Sequence, residues 1–275
     1  MNVLVIGQSS FIAQHLKKHP IAKDWDYISY KGFEAAAEWK KKPSCVINLA
    51  LDSIVREGQH SDLDIKVGKK AQASGAHLIA ISTRAVYGTS DSFNVFTENS
   101  PFLEGCTPYG KAKRNIEAEL LNSLDNQKLT ILRPSNIFGF EYQPEAPRKS
   151  FFGQMLYSLK HEGEINFNMS PKTHRDFLPV ESFVDIVVEI VLNPTAGIFN
   201  VGSGVGTPCG DIAGWVMEGY QQGALKIEPE ASTTDGFIVD TQKLLNSYPL
   251  SITCPDKDVI QRACINIGKQ LRQID

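Results

Sequence analysis

Short, continuous apolar runs recur along this chain of 275 residues, and they constrain its fold more than any other feature. A strand with one face in water alternates apolar and polar residues, whereas a strand covered on both faces is apolar throughout. Segments of helical periodicity separate the runs. The pattern predicts an α/β fold with a doubly wound parallel sheet. The runs are "VLVIG" at 3–7, "SCVINLA" at 44–50, "HLIAIS" at 77–82, "KLTILR" at 128–133 and "GIFNVGS" at 197–203.

The alternation of strands and helices does not extend over the whole chain. From about Phe140 it breaks into proline-rich and charged segments, and after residue 204 the pattern becomes short and mixed. This change predicts a smaller mixed domain packed on the sheet. Ligands of open α/β sheets bind outside the carboxyl ends of the strands. We therefore expect a ligand near the residues at the carboxyl ends of the runs, among them Leu49, Ala50, Ser82 and Pro134.

Composition and charge argue against several classes of partner. The chain has 28 Lys and Arg against 31 Asp and Glu, so it offers no basic surface for nucleic acid or for an anionic membrane. No apolar run approaches ~20 residues and no basic leader precedes the first strand, so we expect a cytoplasmic protein without membrane contact. Scattered cysteines predict reduced thiols, and dispersed histidines predict no metal site.

The stretch "TPYGKAKRNIEAEL" at 107–120 places Tyr109 four residues before Lys113. Thr107 is a suitable N-cap, Pro108 suits the first helical position, and apolar residues then recur at helical spacing. Residues four apart on a helix lie on one face with Cβ atoms about 5–6 Å apart. The sequence therefore predicts that the tyrosine and the lysine interact.

A phenol beside an ammonium group is a usable proton donor. A free phenol, with a pKa near about 10, is poorly matched to neutral pH, and a neighbouring cation favours its phenolate form. The alternative interpretation is a solvated helix pair. Tyr27 also precedes a lysine, Lys31, by four residues, but "WDYISYKG" is typical of a short strand. In a strand such residues lie about 13 Å apart, so this second pair is not a candidate.

The turn after the first run, "GQSSFIAQHL", opens a helix at a position where backbone N–H groups hold a pyrophosphate in dinucleotide-binding folds. Gly7 comes first, and Ser10 and Ala13 follow at intervals of three. Ala13 permits close packing of the helix, and the hydroxyl of Ser10 can donate to a phosphate. The predicted cofactor-binding residues of this turn are Gly7, Ser9, Ser10, Phe11 and Ile12.

Five further motifs follow in chain order: "ISTRAVYG" at 81–88, "PYGKAK" at 108–113, "ILRPSNIFG" at 131–139, "HRDFLPVESFVDIV" at 174–187 and "GIFNVGSG" at 197–204. In this order the chain resembles the extended short-chain dehydrogenase/reductase family of the NAD-dependent epimerase/dehydratase type, whose members modify nucleotide sugars. The resemblance implies a Rossmann domain at 1–139 and 178–203 and a substrate-binding domain at 140–177 and 204–275. It also implies a homodimer paired through the helices of "DIKVGKKAQASG" and "GKAKRNIEAELLNS".

The resemblance also assigns catalytic roles. Tyr109 would donate the proton to a carbonyl oxygen. Lys113 would favour the phenolate form of Tyr109 and would hold the nicotinamide ribose. Thr83 would hydrogen-bond the same oxygen and orient the carbonyl. The alternative for Thr83 is a threonine that caps a strand end. The predicted cofactor contacts outside the glycine turn are Lys31, Leu49, Ala50, Ser82, Tyr109, Lys113 and Pro134.

Four residues are predicted to contact the substrate, a nucleotide sugar: Thr83, Arg84, Asn136 and Arg175. Arginine suits a diphosphate because its guanidinium group binds in a bidentate manner. The structural alternatives are that Asn136 caps a turn and that Arg175 pairs with Asp176 or Glu181.

Departures from the family pattern narrow the function. Lys31 stands where NAD-preferring relatives have an acid, which favours NADP(H) over NAD unless this lysine is merely exposed. Arg84 and Ala85 follow Thr83 where dehydratases have Asp and Glu, which disfavours 4,6-dehydration. Asp64 replaces an asparagine of many relatives.

We therefore expect an NAD(P)-dependent oxidoreductase that reduces a 4-keto nucleotide sugar with Tyr109 as proton donor. An NAD-dependent nucleotide-sugar epimerase and a non-catalytic regulator that binds nicotinamide nucleotide are the alternatives.

Overall fold

The computed structural model describes residues 1–35, 39, 42–146, 150–232 and 235–274. In chain order its strands are β1 (Val3–Ile6), β2 (Asp26–Ile28), β3 (Cys45–Asn48), β4 (His77–Ile81), β5 (Asn94–Phe96), β6 (Leu129–Pro134), β7 (Asn136–Phe138), β8 (Glu164–Met169), β9 (His174–Pro179), β10 (Gly197–Val201), β11 (Gly206–Pro208), β12 (Ala224–Ser232) and β13 (Phe237–Val239). Its α-helices are α1 (Phe11–Leu16), α2 (Tyr30–Ala35), α3 (Ser53–Arg56), α4 (Leu63–Ala73), α5 (Pro108–Ser123), α6 (Phe151–Glu162), α7 (Val180–Leu192), α8 (Cys209–Tyr220), α9 (Gln242–Ser247) and α10 (Lys257–Arg272).

A six-stranded parallel sheet forms the centre of the molecule, in the order β10-β6-β4-β3-β1-β2. From β1 the chain moves outward to β2 and then returns to the other side of β1 with β3. This reversal leaves a crevice at the carboxyl ends of β1 and β3, which is the usual ligand position in such sheets. The predicted doubly wound parallel sheet is confirmed, because every predicted apolar run coincides with one of its strands to within a residue or two.

Two hydrophobic cores cover the two faces of the sheet. On one face, α1 and α7 bury apolar side chains such as Leu16 and Phe183 against β1 and β3. On the other face, α4 and α5 pack Val67 and Ile116 against side chains of the same strands that point the opposite way. Successive side chains of a strand alternate between faces, so a strand between two cores must be apolar along its whole length.

The second part of the structure is smaller and mixed. A five-stranded sheet has the order β11-β9-β13-β5, with β7 paired to β9, and a separate ribbon joins β12 to β8. A third core packs α6, α8 and α10 around Phe138 and Phe177. Residues of and after α9, including Leu244 and Tyr248, pack instead into the core that holds α1 and α7. The predicted domain division at 140–177 and 204–275 stays a prediction.

The second strand of the sheet is shorter than the sequence pattern indicates. β2 ends at Ile28, and Tyr30 already begins α2, so Lys31 is an exposed helical residue. Tyr27 lies in the strand and Lys31 in the helix, which confirms that this pair does not share a helix face. In the part of the chain that is described, no helix combines the length and the apolar character needed to cross a membrane.

Candidate active site

A cavity of about 470 Å³ opens at the carboxyl ends of the central strands. Segments that follow β1, β2, β3 and β4 form its walls together with the first turns of α5. It lies where the topology predicts a ligand site. The lining residues are Gly7, Ser9, Ser10, Phe11, Ile12, Ser29, Tyr30, Asn48, Leu49, Ala50, Leu51, Arg56, Ile81, Ser82, Tyr109, Lys113 and Ile137.

The turn between β1 and α1 approaches the end of β3 very closely. Gly7 has φ +96°, and a Cβ atom placed there would lie 2.6 Å from the backbone nitrogen of Ala50. Only glycine satisfies both the backbone conformation and the space. Ser10 caps α1, because its Oγ accepts a hydrogen bond of 3.1 Å from the N–H of Ala13. This bond leaves the hydroxyl proton of Ser10 free to be donated to a ligand.

Tyr109 and Lys113 lie on one face of α5 and line the same cavity. The helix begins as its sequence indicates: the Oγ1 of Thr107 accepts from the N–H of Gly110 at 3.1 Å, and Pro108 is the first helical residue. The tyrosine is partly exposed, whereas the lysine is only 4% exposed. The ammonium group of Lys113 forms a buried ion pair of 3.6 Å with the Oδ2 of Asp64 on α4.

A buried polar network lies behind Ser82. The Oγ of Ser82 donates to Glu117, and Glu117 accepts two branches of the guanidinium group of Arg133 at 3.1 Å and 2.6 Å. Arg133 also donates to the hydroxyl of Tyr87 at 3.0 Å. Burial disfavours the charged guanidinium group, but the hydrogen bonds and charge of Glu117 outweigh it and raise the pKa of Arg133. The network anchors the part of the cavity wall that Ser82 forms.

Thr83, Lys31 and Pro134 do not line the cavity. Thr83 directly follows Ser82, which lines the cavity. The Oγ1 of Thr83 accepts a hydrogen bond of 3.2 Å from the N–H of Ala85, so the hydroxyl proton of Thr83 stays available for donation. Pro134 is buried at the end of β6. Lys31 lies on the exposed side of α2, where the shorter β2 leaves it.

The residues predicted to bind substrate occupy the boundary with the second part of the structure. Asn136 uses its side-chain amide to bridge β7 and β9, donating to the backbone oxygen of Asp176 at 3.0 Å. Arg84 and Arg175 both contact the carboxylate of Asp235, at 2.5 Å and 3.3 Å respectively. Arg175 thus pairs with neither of the acids expected from sequence. Burial lowers the pKa of Arg84, while the charge of Asp235 opposes this effect.

Several lining residues have no counterpart in the sequence prediction: Ser29, Tyr30, Asn48, Leu51, Arg56, Ile81 and Ile137. Asn48 had a usable signal, because it is the one polar residue within an apolar strand. Tyr30 donates to Glu34 at 2.6 Å, and burial together with this acid raises the pKa of Tyr30 to about 12. Arg56 ends the short helix α3 and is exposed. No local sequence pattern indicates that Arg56 lies near the end of β2.

All five cysteines are unpaired, and four of them are buried. Within the described residues, no group of three or more His, Cys, Asp and Glu side chains is arranged to hold a metal ion.

Comparison with solved structures finds the same fold over essentially the whole chain. One match is the UDP-N-acetylglucosamine 4-epimerase from Methanobrevibacter ruminantium M1 in complex with UDP-N-acetylmuramic acid, at 18% identity and a TM-score of 0.78, covering 98% of this chain and 97% of that one. A dTDP-glucose 4,6-dehydratase from Bacillus anthracis str. Ames in complex with NAD matches at 14% identity and a TM-score of 0.74, with coverages of 98% and 97%. RMD from Pseudomonas aeruginosa, complexed with NADPH, matches at 15% identity and a TM-score of 0.71, with coverages of 99% and 99%.

The family model described as "NAD dependent epimerase/dehydratase family" matches residues 3–202. This range includes the whole six-stranded sheet, the turn at Gly7 and the helix with Tyr109 and Lys113. The resemblance recognised in the sequence is confirmed: the chain belongs to the NAD-dependent epimerase/dehydratase family.

Proposed function

We propose that this protein is an NADP(H)-dependent oxidoreductase that reduces a 4-keto nucleotide sugar, with Tyr109 as the proton donor. The proposal rests on one observation: two parts of the structure line the same cavity. The turn that begins at Gly7 forms one part of its wall, and the helix face with Tyr109 and Lys113 forms another. A turn suited to a dinucleotide and the proposed proton donor thus border one connected space.

The residues of the cavity fit a nicotinamide dinucleotide. Gly7 lets the turn after β1 lie directly against the backbone of Leu49 and Ala50, and the free proton of the Ser10 hydroxyl suits a phosphate oxygen. The lysine and tyrosine of α5 would border the nicotinamide end. When bound, such a cofactor supplies the hydride of a carbonyl reduction.

The proton is supplied by the chain itself. Tyr109 would transfer the proton of its hydroxyl to the carbonyl oxygen as the alcohol forms. Thr83 would donate a second hydrogen bond to the same oxygen, since its own oxygen already accepts from Ala85 and its proton is unused. Lys113 is buried on the same helix face, where its charge favours the phenolate that remains after proton transfer.

Three side chains near the end of β2 favour NADP(H) over NAD. Ser29 and Tyr30 line the cavity directly after the strand, and the cation of Arg56 faces the same space. An arginine and a hydroxyl are suitable partners for a 2′-phosphate. Glu34 is the nearest acid on α2, but it is exposed, engaged by Tyr30 and absent from the lining. We therefore assign to Arg56 the role that the sequence alone gave to Lys31.

The proposed substrate class rests on the charge of two arginines and one carboxylate. Arg84 and Arg175 share one carboxylate, Asp235, so the cluster carries more positive than negative charge. A nucleotide diphosphate would supply the missing negative charge. Two of the similar structures contain UDP-sugars, UDP-N-acetylmuramic acid in one and UDP-glucose in the other, which supports this substrate class.

An epimerase is the second candidate, because the similar structures include nucleotide-sugar 4-epimerases. It would retain NAD through the reaction, so NAD bound to the purified protein would favour it. We further propose a homodimer formed by α4 and α5, whose mass in light scattering would be twice that of one chain.

The proposal is tested with Tyr109→Phe, assayed by NADPH oxidation on a panel of 4-keto-6-deoxy nucleotide sugars. We expect turnover to fall roughly 100- to 10,000-fold, the usual contribution of a general acid, with cofactor binding retained. Tyr27→Phe is the matched control, because Tyr27 also stands four residues before a lysine but lies in β2 outside the cavity. Full activity of Tyr109→Phe would refute the proposed mechanism.

A further inference from the structure

The ammonium group of Lys113 does not act as a lone cation. Its Nζ lies 3.6 Å from the Oδ2 of Asp64, and the two side chains are only 5% and 6% exposed. Asp64 comes from the first turn of α4, so two neighbouring helices each contribute one charge to the buried pair. Burial at this level is expensive for an unpaired charge, so each partner offsets part of the cost of burying the other.

A third buried side chain fixes the orientation of this carboxylate. The amide nitrogen of Asn48 donates to the Oδ1 of Asp64 at 2.7 Å, while its oxygen accepts from the N–H of Ala50 at 3.1 Å. One oxygen of Asp64 thus accepts a hydrogen bond from Asn48, and the other faces the ammonium group of Lys113 in the ion pair. A carboxylate accepts on both, whereas an asparagine would turn its own N–H₂ toward one donor. The two donor groups around Asp64 therefore suit a carboxylate, the residue type that departs from the family pattern.

The pair changes the electrostatics at Tyr109. A lysine without a partner would present a full positive charge one helical turn from the phenol, whereas this lysine is offset by a carboxylate beyond it. A neutral ion pair stabilises the phenolate of Tyr109 less than an isolated cation would.

A further acid on α5 is engaged elsewhere. Glu117, one turn beyond Lys113, is paired with Arg133. Among the described residues, no third charged side chain forms an ion pair with Lys113 or Asp64. The remaining charged or titratable groups on α5 and on the elements packed against it are Arg56, Lys66, Lys69, Lys70, Arg84, Tyr87, Lys111, Arg114 and Glu119.

We propose that Asp64 is a positioning residue for the proton donor. It holds Lys113 against α4 and offsets its charge, so that the phenolate of Tyr109 forms at a higher pH than it would beside an unpaired lysine. Tyr109 would then stay protonated, and able to donate, up to a higher pH. The inference rests on the proposed function for the role of Tyr109, but its test does not depend on turnover.

The test is a pH titration of the near-ultraviolet phenolate absorbance, with and without Asp64→Asn. Each titration is corrected with the same protein carrying Tyr109→Phe, so that the difference reports Tyr109 alone. Removing the carboxylate that offsets the charge of Lys113 should move the midpoint to lower pH. The pH profile of turnover should move in the same direction.

Asp62→Asn is the matched control, because it removes a carboxylate two residues away from an exposed pair with Lys66. Its titration should overlay that of the wild type. If Asp64→Asn does not fold, Asp64→Ser replaces it, since the small hydroxyl leaves room for water. An unshifted midpoint, or a loss of turnover with an unshifted pH profile, overturns the inference. Activity of Tyr109→Phe overturns the proposed function instead, whatever the titration gives.

Discussion

At the residue scale, the proposed preference for NADP(H) depends on the cation that lines the cavity near the end of β2. The sequence places Lys31 shortly after this strand, where it was the obvious candidate. α2 begins at Tyr30, however, and the helical turn carries the lysine to an exposed position outside the cavity. Arg56 reaches the cavity from α3, far along the chain. Arg56, and not Lys31, lines the cavity near the end of β2, because this strand is only three residues long.

Arg56→Gln should lower the preference for NADPH over NADH by roughly 10- to 100-fold, the loss expected when a hydrogen bond to a charged group is removed. The measurement is the ratio of dissociation constants of the two cofactors, determined by fluorescence quenching. Lys31→Gln is the matched control and should leave the ratio unchanged. A change in the Lys31 variant with none in the Arg56 variant would restore the assignment made from sequence.

At the element scale, α5 combines structural and chemical roles along one helix. Ala112, Ile116 and Leu120 pack into the core beneath the sheet. Tyr109 and Lys113 face the cavity one turn apart, and only the first turns of the helix reach it. The cap at Thr107 therefore stabilises the part of the helix that holds the proposed proton donor, and fraying of this end would disorder Tyr109.

Thr107→Ala should lower the free energy of unfolding by about 1 kcal/mol, because the N–H of Gly110 loses its acceptor. Since Tyr109 is the second residue of the helix, we also expect lower turnover. Denaturant unfolding and steady-state assays measure the two effects. Thr107→Ser keeps a capping oxygen and should preserve both quantities. A Thr107→Ala protein as stable as the wild type would show that packing alone holds this end.

At the scale of the whole molecule, one buried network connects elements that are distant in sequence. Glu117 of α5 binds Arg133 of β6, and Arg133 in turn binds Tyr87, which donates to Asn200 of β10 at 2.7 Å. The network thus joins a helix to two neighbouring strands of the sheet. Each member has a partner, which is the condition under which buried polar groups stabilise a single arrangement.

Arg133→Met should destabilise the protein by about 3–5 kcal/mol, because it leaves the carboxylate of Glu117 buried without its partner. Glu117→Leu combined with Arg133→Met should cost less than the sum of the two single changes. Chemical denaturation of the four proteins measures this coupling. Lys257→Met removes one partner of an exposed pair with Asp211 and should change stability by less than about 1 kcal/mol. Additive effects at 117 and 133 would contradict the network.

The sequence by itself determined the parallel sheet, the helices on its two faces, the glycine turn and the shared helix face of Tyr109 and Lys113. Each of these follows from local periodicity, local capping or a backbone angle that only glycine adopts easily. Tertiary structure alone decided the partners of the charges. Asp64 reaches Lys113, Arg56 joins the end of β2, and Asp235 joins two arginines, all across long stretches of chain. Such pairs depend on how completed elements pack, and hydrophobic periodicity carries no information about which polar side chains will meet.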